Sequence, residues 1–274
     1  MFRHTLQYWV AIAALVASMA SCSMAPPSRT KEVFMEREVR VSGTSYRYRV
    51  FVPATKKASK RPVIVFLHGS GERGDDNRKQ LAVGLGPYVE KHADEFPAIV
   101  VFPQAPQDSE WNDNVAMTLA AVDAATREFG GDRDRTYLTG MSMGGYGTWE
   151  FALREPHRFA ALVPVCGGIV APDRRPSMQV SPVAGVADPF AEVARRLHDV
   201  PVWIFHGALD DLVPPEQSRR MAAALQAAGA ADARYTEFPD ANHNSWDPAY
   251  SQTPELWPWL FAQRRSKVSN GGGR

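Results

Sequence analysis

Asp134-Arg-Thr-Tyr-Leu-Thr-Gly140-Met-Ser142-Met-Gly144-Gly145-Tyr-Gly-Thr-Trp149 is the stretch on which the reading of this 274-residue sequence turns. Thr136–Thr139 has the composition of a short strand. Met143–Leu153 suits a helix, with Pro156 just past its end. Between them stands Gly-x-Ser-x-Gly, in the strand-to-helix context that gives this pattern chemical meaning. A turn that sharp needs glycine where a side chain would strike neighbouring backbone, which accounts for Gly140 and Gly144. It pushes the Ser142 hydroxyl into the open. It also sets the Met143 amide at a helix N-terminus, where unpaired N–H groups favour negative charge. Ser142 is the candidate nucleophile.

On either side of this turn, buried strands alternate with amphipathic helices. Val39–Val52 alternates apolar and polar residues around Ser42-Gly43-Thr44 and reads as an edge hairpin. Pro62–Leu67, Ala98–Phe102, Phe159–Cys166, Val200–Phe205 and Ala233–Phe238 are further strands. The continuous apolar runs among them suit burial on both faces. Val115–Phe129, Gln217–Ala228 and Pro254–Gln263 read as helices, the first closed by Gly130-Gly131. The expected class is α/β, a mostly parallel central sheet with helices on both faces. Such sheets bind ligands beyond the carboxyl ends of their strands.

A serine hydroxyl needs a base to take its proton. Where serine sits on a strand-to-helix turn of this kind, the acid and then the histidine follow it in the chain. Beyond the next strand lie His198, His206 and His243. His243, in the loop Asp240-Ala-Asn-His-Asn-Ser-Trp246 after the last strand, suits a mobile base. His198 reads as a surface residue and His206 as packing at a strand end. Asp210, four residues after His206, is the candidate acid that orients the base. Its neighbour Asp211 stays open, as do Asp240 and Asp247. A second donor to a developing oxyanion comes from His68-Gly69-Ser70-Gly71-Glu-Arg-Gly74, with the Ser70 amide preferred over those of Gly69 and Gly71. No Lys-Ser/Thr follows those glycines, so they do not form a nucleotide loop of the Walker type.

Two tryptophans flank these motifs. Trp111, in the polar stretch Asp108-Ser-Glu-Trp-Asn-Asp113, is a candidate platform for a sugar or aromatic acid. Trp246 is a candidate contact beside His243 and equally a packing residue of its loop. The segment 169–189 is rich in proline and polar residues and reads as a cap or a long surface loop.

These residues together resemble the α/β-hydrolase superfamily, and within it the esterase and "predicted peptidase" branch with feruloyl esterases and polyhydroxybutyrate-depolymerase-like proteins. Val63–Gly74, Asp134–Trp149, Trp203–Pro214 and His243–Arg265 carry the likeness. The resemblance implies Ser142, Asp210 and His243 as the triad and the Ser70 and Met143 amides as the oxyanion hole. It implies a small ester substrate, such as an acylated carbohydrate or a hydroxyalkanoate ester. The alternatives are a serine peptidase and a non-catalytic glycan-binding lipoprotein. Two residues depart from the branch's usual pattern, Asn242 for glycine and Asn244 for aspartate.

The N-terminus reads as an address. Arg3 and His4 precede an uncharged run from Leu6 to Ala20, shorter than the roughly 20 residues of a membrane span. A basic start, a short apolar core and small residues describe a secretory signal. Met19-Ala20-Ser21-Cys22 resembles the lipobox of bacterial lipoproteins, which implies lipidation at Cys22 and anchoring in the cell envelope. The expected organisation is a signal peptide over 1–21, a tether over 22–36, the catalytic domain over 37–265 and a disordered tail over 266–274.

The formal net charge is +1, which gives no electrostatic footprint for nucleic acid. Two cysteines, 22 and 166, exclude a disulfide scaffold. No His-Glu-x-x-His helix or clustered Cys/His spacing calls for a metal, and no cofactor is expected. The chain is expected to work as a monomer. Because the base must be a neutral imidazole, activity is expected to fall as pH drops through about 6–7.

Overall fold

The computed structural model describes residues 33–54, 60–172 and 174–265. The signal, lipidation at Cys22, most of the tether and the tail lie outside these residues. Among those described, no helix is long and apolar enough to cross a membrane.

Among the described residues, eight strands form one sheet; numbered in chain order from β1 (Phe34–Val41) to β8 (Ala233–Phe238), they lie in the order β1-β2-β4-β3-β5-β6-β7-β8. β1 (Phe34–Val41) and β2 (Thr44–Phe51) make an antiparallel hairpin. Its two turn residues, Ser42 and Gly43, have φ of 50° and 86°, the left-handed pair that matches strand twist in a tight hairpin. The hairpin begins earlier than the expected domain start at residue 37. Phe34 pairs with Phe51 in register and packs edge-on against Phe51 and Phe102, so the sheet takes in residues 34–36, which the expected division left outside the domain. Those apolar contacts are long-range, and the local sequence does not announce them.

β2 pairs antiparallel with β4 (Ile99–Pro103). From β4 onward every pairing is parallel: β3 (Arg61–Leu67), β5 (Gly131–Met141), β6 (Ala161–Val165), β7 (Val202–Gly207) and β8 (Ala233–Phe238). β5 is longer than the expected Thr136–Thr139. Its charged first half is held by side chains, with Asp132 accepting from Arg135 Nε at 2.9 Å.

Alternate residues of each central strand enter opposite cores, as the period of two requires. Val63, Val65 and Leu67 join one cluster with α2 (Val115–Phe129), α3 (Met143–Arg154), α4 (Pro189–Leu197) and α5 (Glu216–Ala227). Ile64 and Phe66 join the other with α1 (Leu85–Lys91), α6 (Trp246–Ser251) and α7 (Leu256–Ala262). Helices therefore cover both faces, as expected of this sheet. α2 closes at Gly130, whose φ of 70° is the left-handed cap. The chemistry-bearing turns all emerge at the carboxyl ends of β3, β5, β7 and β8.

Candidate active site

Ser142 sits between β5 and α3 with φ 54° and ψ −118°. A non-glycine residue there is strained by about 1–3 kcal/mol and persists only where its surroundings enforce it. They do so through close backbone packing. A Cβ on Gly140 would lie 2.3 Å from the Gly144 carbonyl oxygen, and one on Gly144 would lie 1.9 Å from that of Leu67. The Ser142 amide donates to Val165 O at 2.9 Å, tying the turn to β6.

The Ser142 hydroxyl donates to His243 Nε2 at 2.9 Å. On the other side of the ring, His243 Nδ1 donates to Asp210 Oδ2 at 2.7 Å. Asp210 Oδ1 accepts the amides of Leu212 and Val213, both at 2.9 Å. Burial raises the Asp210 pKa. Hydrogen bonds from His206, His243 and the Val213 amide outweigh that and hold the carboxyl well below the usual carboxylate range. The three residues come from three separate turns, after β5, β7 and β8. Asp211 is exposed at the cavity mouth, and Asp247 is engaged with Asn244 at 2.8 Å. Of the acids left open by the sequence, Asp210 is the one in contact with His243. His198 is exposed and faces Asp199 at 3.2 Å, as expected.

The loop after β3 lies against this group, with a Cβ on Gly69 reaching within 3.6 Å of Ser142 Cβ. Ser70–Glu72 forms a short 3-10 turn. The amides of Ser70 and Met143 each open a helical turn, where an N–H has no acceptor within its own helix. A residue that the motif reading passed over shapes this loop. His68, fully buried, donates from Nδ1 to Gly69 O at 2.6 Å and accepts the Ala105 amide on Nε2 at 3.0 Å. Desolvation pushes its pKa down to about 4. Its place directly after a buried strand was the one available signal.

A cavity of about 260 Å³ opens beside Ser142. Ser70, Glu72, Pro172, Arg175, Met178 and Trp246 are among the residues that line it. The 169–189 segment thus reaches the cavity, and Arg175 Nη1 donates to Ser70 Oγ at 2.8 Å. Trp246 stands edge-on to the His243 ring with centroids 5.6 Å apart, so it both packs the base and faces the cavity.

Trp111 does not line this cavity. It is 1% exposed, donates from Nε1 to His68 O at 2.9 Å and packs against the His68 and Phe151 rings. The expected sugar-stacking role is therefore corrected: the indole is a core residue that braces the loop after β3. Asn242 is not among the described residues with a left-handed φ, so nothing at this position demands glycine. Its side chain accepts the Asn244 amide at 3.1 Å, and the two asparagines build the turn themselves.

Cys166, Asp210 and His243 bring one potential metal-ligand atom each within 4.8 Å of one another. The Asp210 and His243 atoms already bond each other. Burial pushes the Cys166 thiol up, away from the thiolate a metal would require. The arrangement suits proton transfer rather than coordination.

Parallel strands, the strained serine turn and its histidine and carboxylate define an α/β-hydrolase fold. The model of the prolyl oligopeptidase family matches residues 178–264, a stretch that includes Asp210 and His243. A bifunctional acetylxylan esterase/xylanase of Neocallimastix patriciarum is 25% identical over 189 residues, 65% of this chain but 23% of that protein. A poly(3-hydroxyoctanoate) depolymerase of Pseudomonas fluorescens is 28% identical over 206 residues, 67% of this chain and 68% of that one. Among solved structures, a thermostable esterase aligns with a TM-score of 0.67 at 30% identity, over 85% of this chain and 64% of its own.

Proposed function

We propose that this chain is a serine hydrolase of carboxylic esters. The observation that carries the reading is the continuous hydrogen-bonded line Ser142 Oγ, His243, Asp210 beside an open cavity. Ser142 Oγ attacks the ester carbonyl carbon while His243 Nε2 takes its proton. The carbonyl oxygen becomes an oxyanion, held by the Ser70 and Met143 amides. Asp210 keeps the His243 ring in the right tautomer and stabilises the imidazolium. The imidazolium then protonates the departing alkoxide, leaving an acyl-enzyme. Water, deprotonated by the same histidine, releases the acid and restores Ser142.

The named relatives act on acetylated xylan and on a hydroxyalkanoate polyester. That supports an acylated carbohydrate or a hydroxyalkanoate ester as substrate. The signal-like N-terminus supports export and attachment through lipid at Cys22, an inference from sequence alone. Incorporation of labelled palmitate that Cys22→Ala abolishes would support it, and equal incorporation would refute it.

The catalytic reading is tested with short-chain aryl esters. Ser142→Ala is expected to remove turnover while the circular dichroism spectrum and melting stay those of the parent. Turnover that survives in this variant contradicts the assignment. A matched ester and anilide with one acyl group separate esterase from peptidase chemistry.

A further inference from the structure

Asp210 holds more donors than the orientation of one histidine requires. Besides the two amides on Oδ1 and His243 on Oδ2, His206 Nε2 lies 3.2 Å from Oδ2. His206 is fully buried at the end of β7, and its partners decide where its proton sits. Nε2 is 3.0 Å from the Val213 carbonyl oxygen, which can only accept, so Nε2 carries hydrogen. In the neutral ring Nδ1 is then the acceptor, and Ser218 Oγ, 2.7 Å away on α5, donates to it. The Nε2–H is shared between Val213 O and Asp210 Oδ2.

We propose that His206, its tautomer fixed by the Val213 carbonyl and its ring held by Ser218, is a positioning residue for Asp210 that sets the orientation and effective charge of the carboxylate facing His243. The proposal rests on the serine hydrolase reading and adds a second imidazole to it. A carboxylate oxygen shared between two N–H donors attracts an imidazolium less than one that His243 has to itself. Without the His206 donor, Asp210 is freer to turn and more negative toward His243. The imidazolium becomes more stable, so the acid limb of the pH–rate profile moves to higher pH.

The other titratable groups around this pair are already engaged or removed from it. Glu237 stands opposite His206 in register on β8, paired with Arg219 and with the Tyr235 hydroxyl. Burial, and after it the Asp210 charge, pushes the Tyr146 hydroxyl on α3 up, and burial does the same to the Cys166 thiol at the end of β6. Asp211 is exposed at the cavity mouth. Among the described residues, His206 and His243 are the donors that reach Oδ2.

The test is kcat and KM on a short-chain aryl ester across pH for the parent, His206→Leu, His206→Gln and Ser218→Ala, normalised to sites titrated by a fluorophosphonate. His206→Leu is expected to lower kcat by about tenfold or more with KM within about twofold. Its acid limb should move up by about half a pH unit or more. His206→Gln, whose side-chain amide can present N–H at the same place, should recover most of both. Ser218→Ala should shift the limb in the same direction by less. An acid limb unmoved in both the leucine and the alanine variants, or a glutamine variant no better than leucine, overturns the proposal. If His206→Leu does not fold, Ser218→Ala decides by the same readout. A parent that neither turns over esters nor takes up the probe would instead refute the underlying hydrolase reading.

Discussion

At the scale of single residues, the candidate triad was legible because each member follows a strand. Ser142 was marked by its glycines, His243 by its place after the last strand, and Asp210 by the turn after β7. Trp111 was not legible. Its polar neighbours suit an exposed indole, and only the fold supplies the His68 carbonyl that satisfies its N–H in the core. Two predictions belong here. Asp210→Asn keeps the shape but presents an amide to His243 Nδ1, so the ring is held in the wrong tautomer. By analogy with the serine protease triad, kcat should fall by about 10⁴ with little change in KM, as steady-state kinetics would show. Trp111→Phe removes the N–H from a buried carbonyl and should cost about 1–3 kcal/mol in urea denaturation. KM should stay unchanged, whereas a large rise would restore the binding role that the structure denies.

Among the elements, the loop after β3 shows what motif reading misses. Its glycines were visible, but the group that bends it is His68, whose partners Gly69 and Ala105 come from two loops. The helices α1 and α6 were also not anticipated. Each is a short run with proline in its first turn, at Pro87 and Pro248, where the missing N–H has no helical partner to lose. The His68 loop carries a pH prediction. The native ring has its pKa lowered to about 4, against about 6.5 in an unfolded chain. Between those values the unfolded chain binds a proton that the folded chain does not, so stability falls as pH falls through that window. The full loss is about 3 kcal/mol. His68→Gln should lack this part of the decline, so the gap in urea-unfolding free energy between variant and parent should narrow from pH 7 to pH 4.5. Curves that run parallel would contradict the assigned role.

For the whole molecule, the alternation of buried runs and helices was enough to specify a parallel sheet, because a strand covered on both faces must be apolar throughout. The antiparallel hairpin at its edge was half visible: the turn at Ser42-Gly43 was plain, while the pairing of Phe34 with Phe51 depends on contacts far along the chain. The same sheet gathers the turns after β3, β5, β7 and β8 at one rim, and the cavity beside Ser142 lies there. The central claim is that this rim makes one serine nucleophilic. Peptide-resolved mass spectrometry after brief treatment with a fluorophosphonate tests it most directly. The account predicts a single phosphonyl adduct, on Ser142. A chain that takes up no probe, or carries it on another residue while Ser142 stays free, would contradict the account.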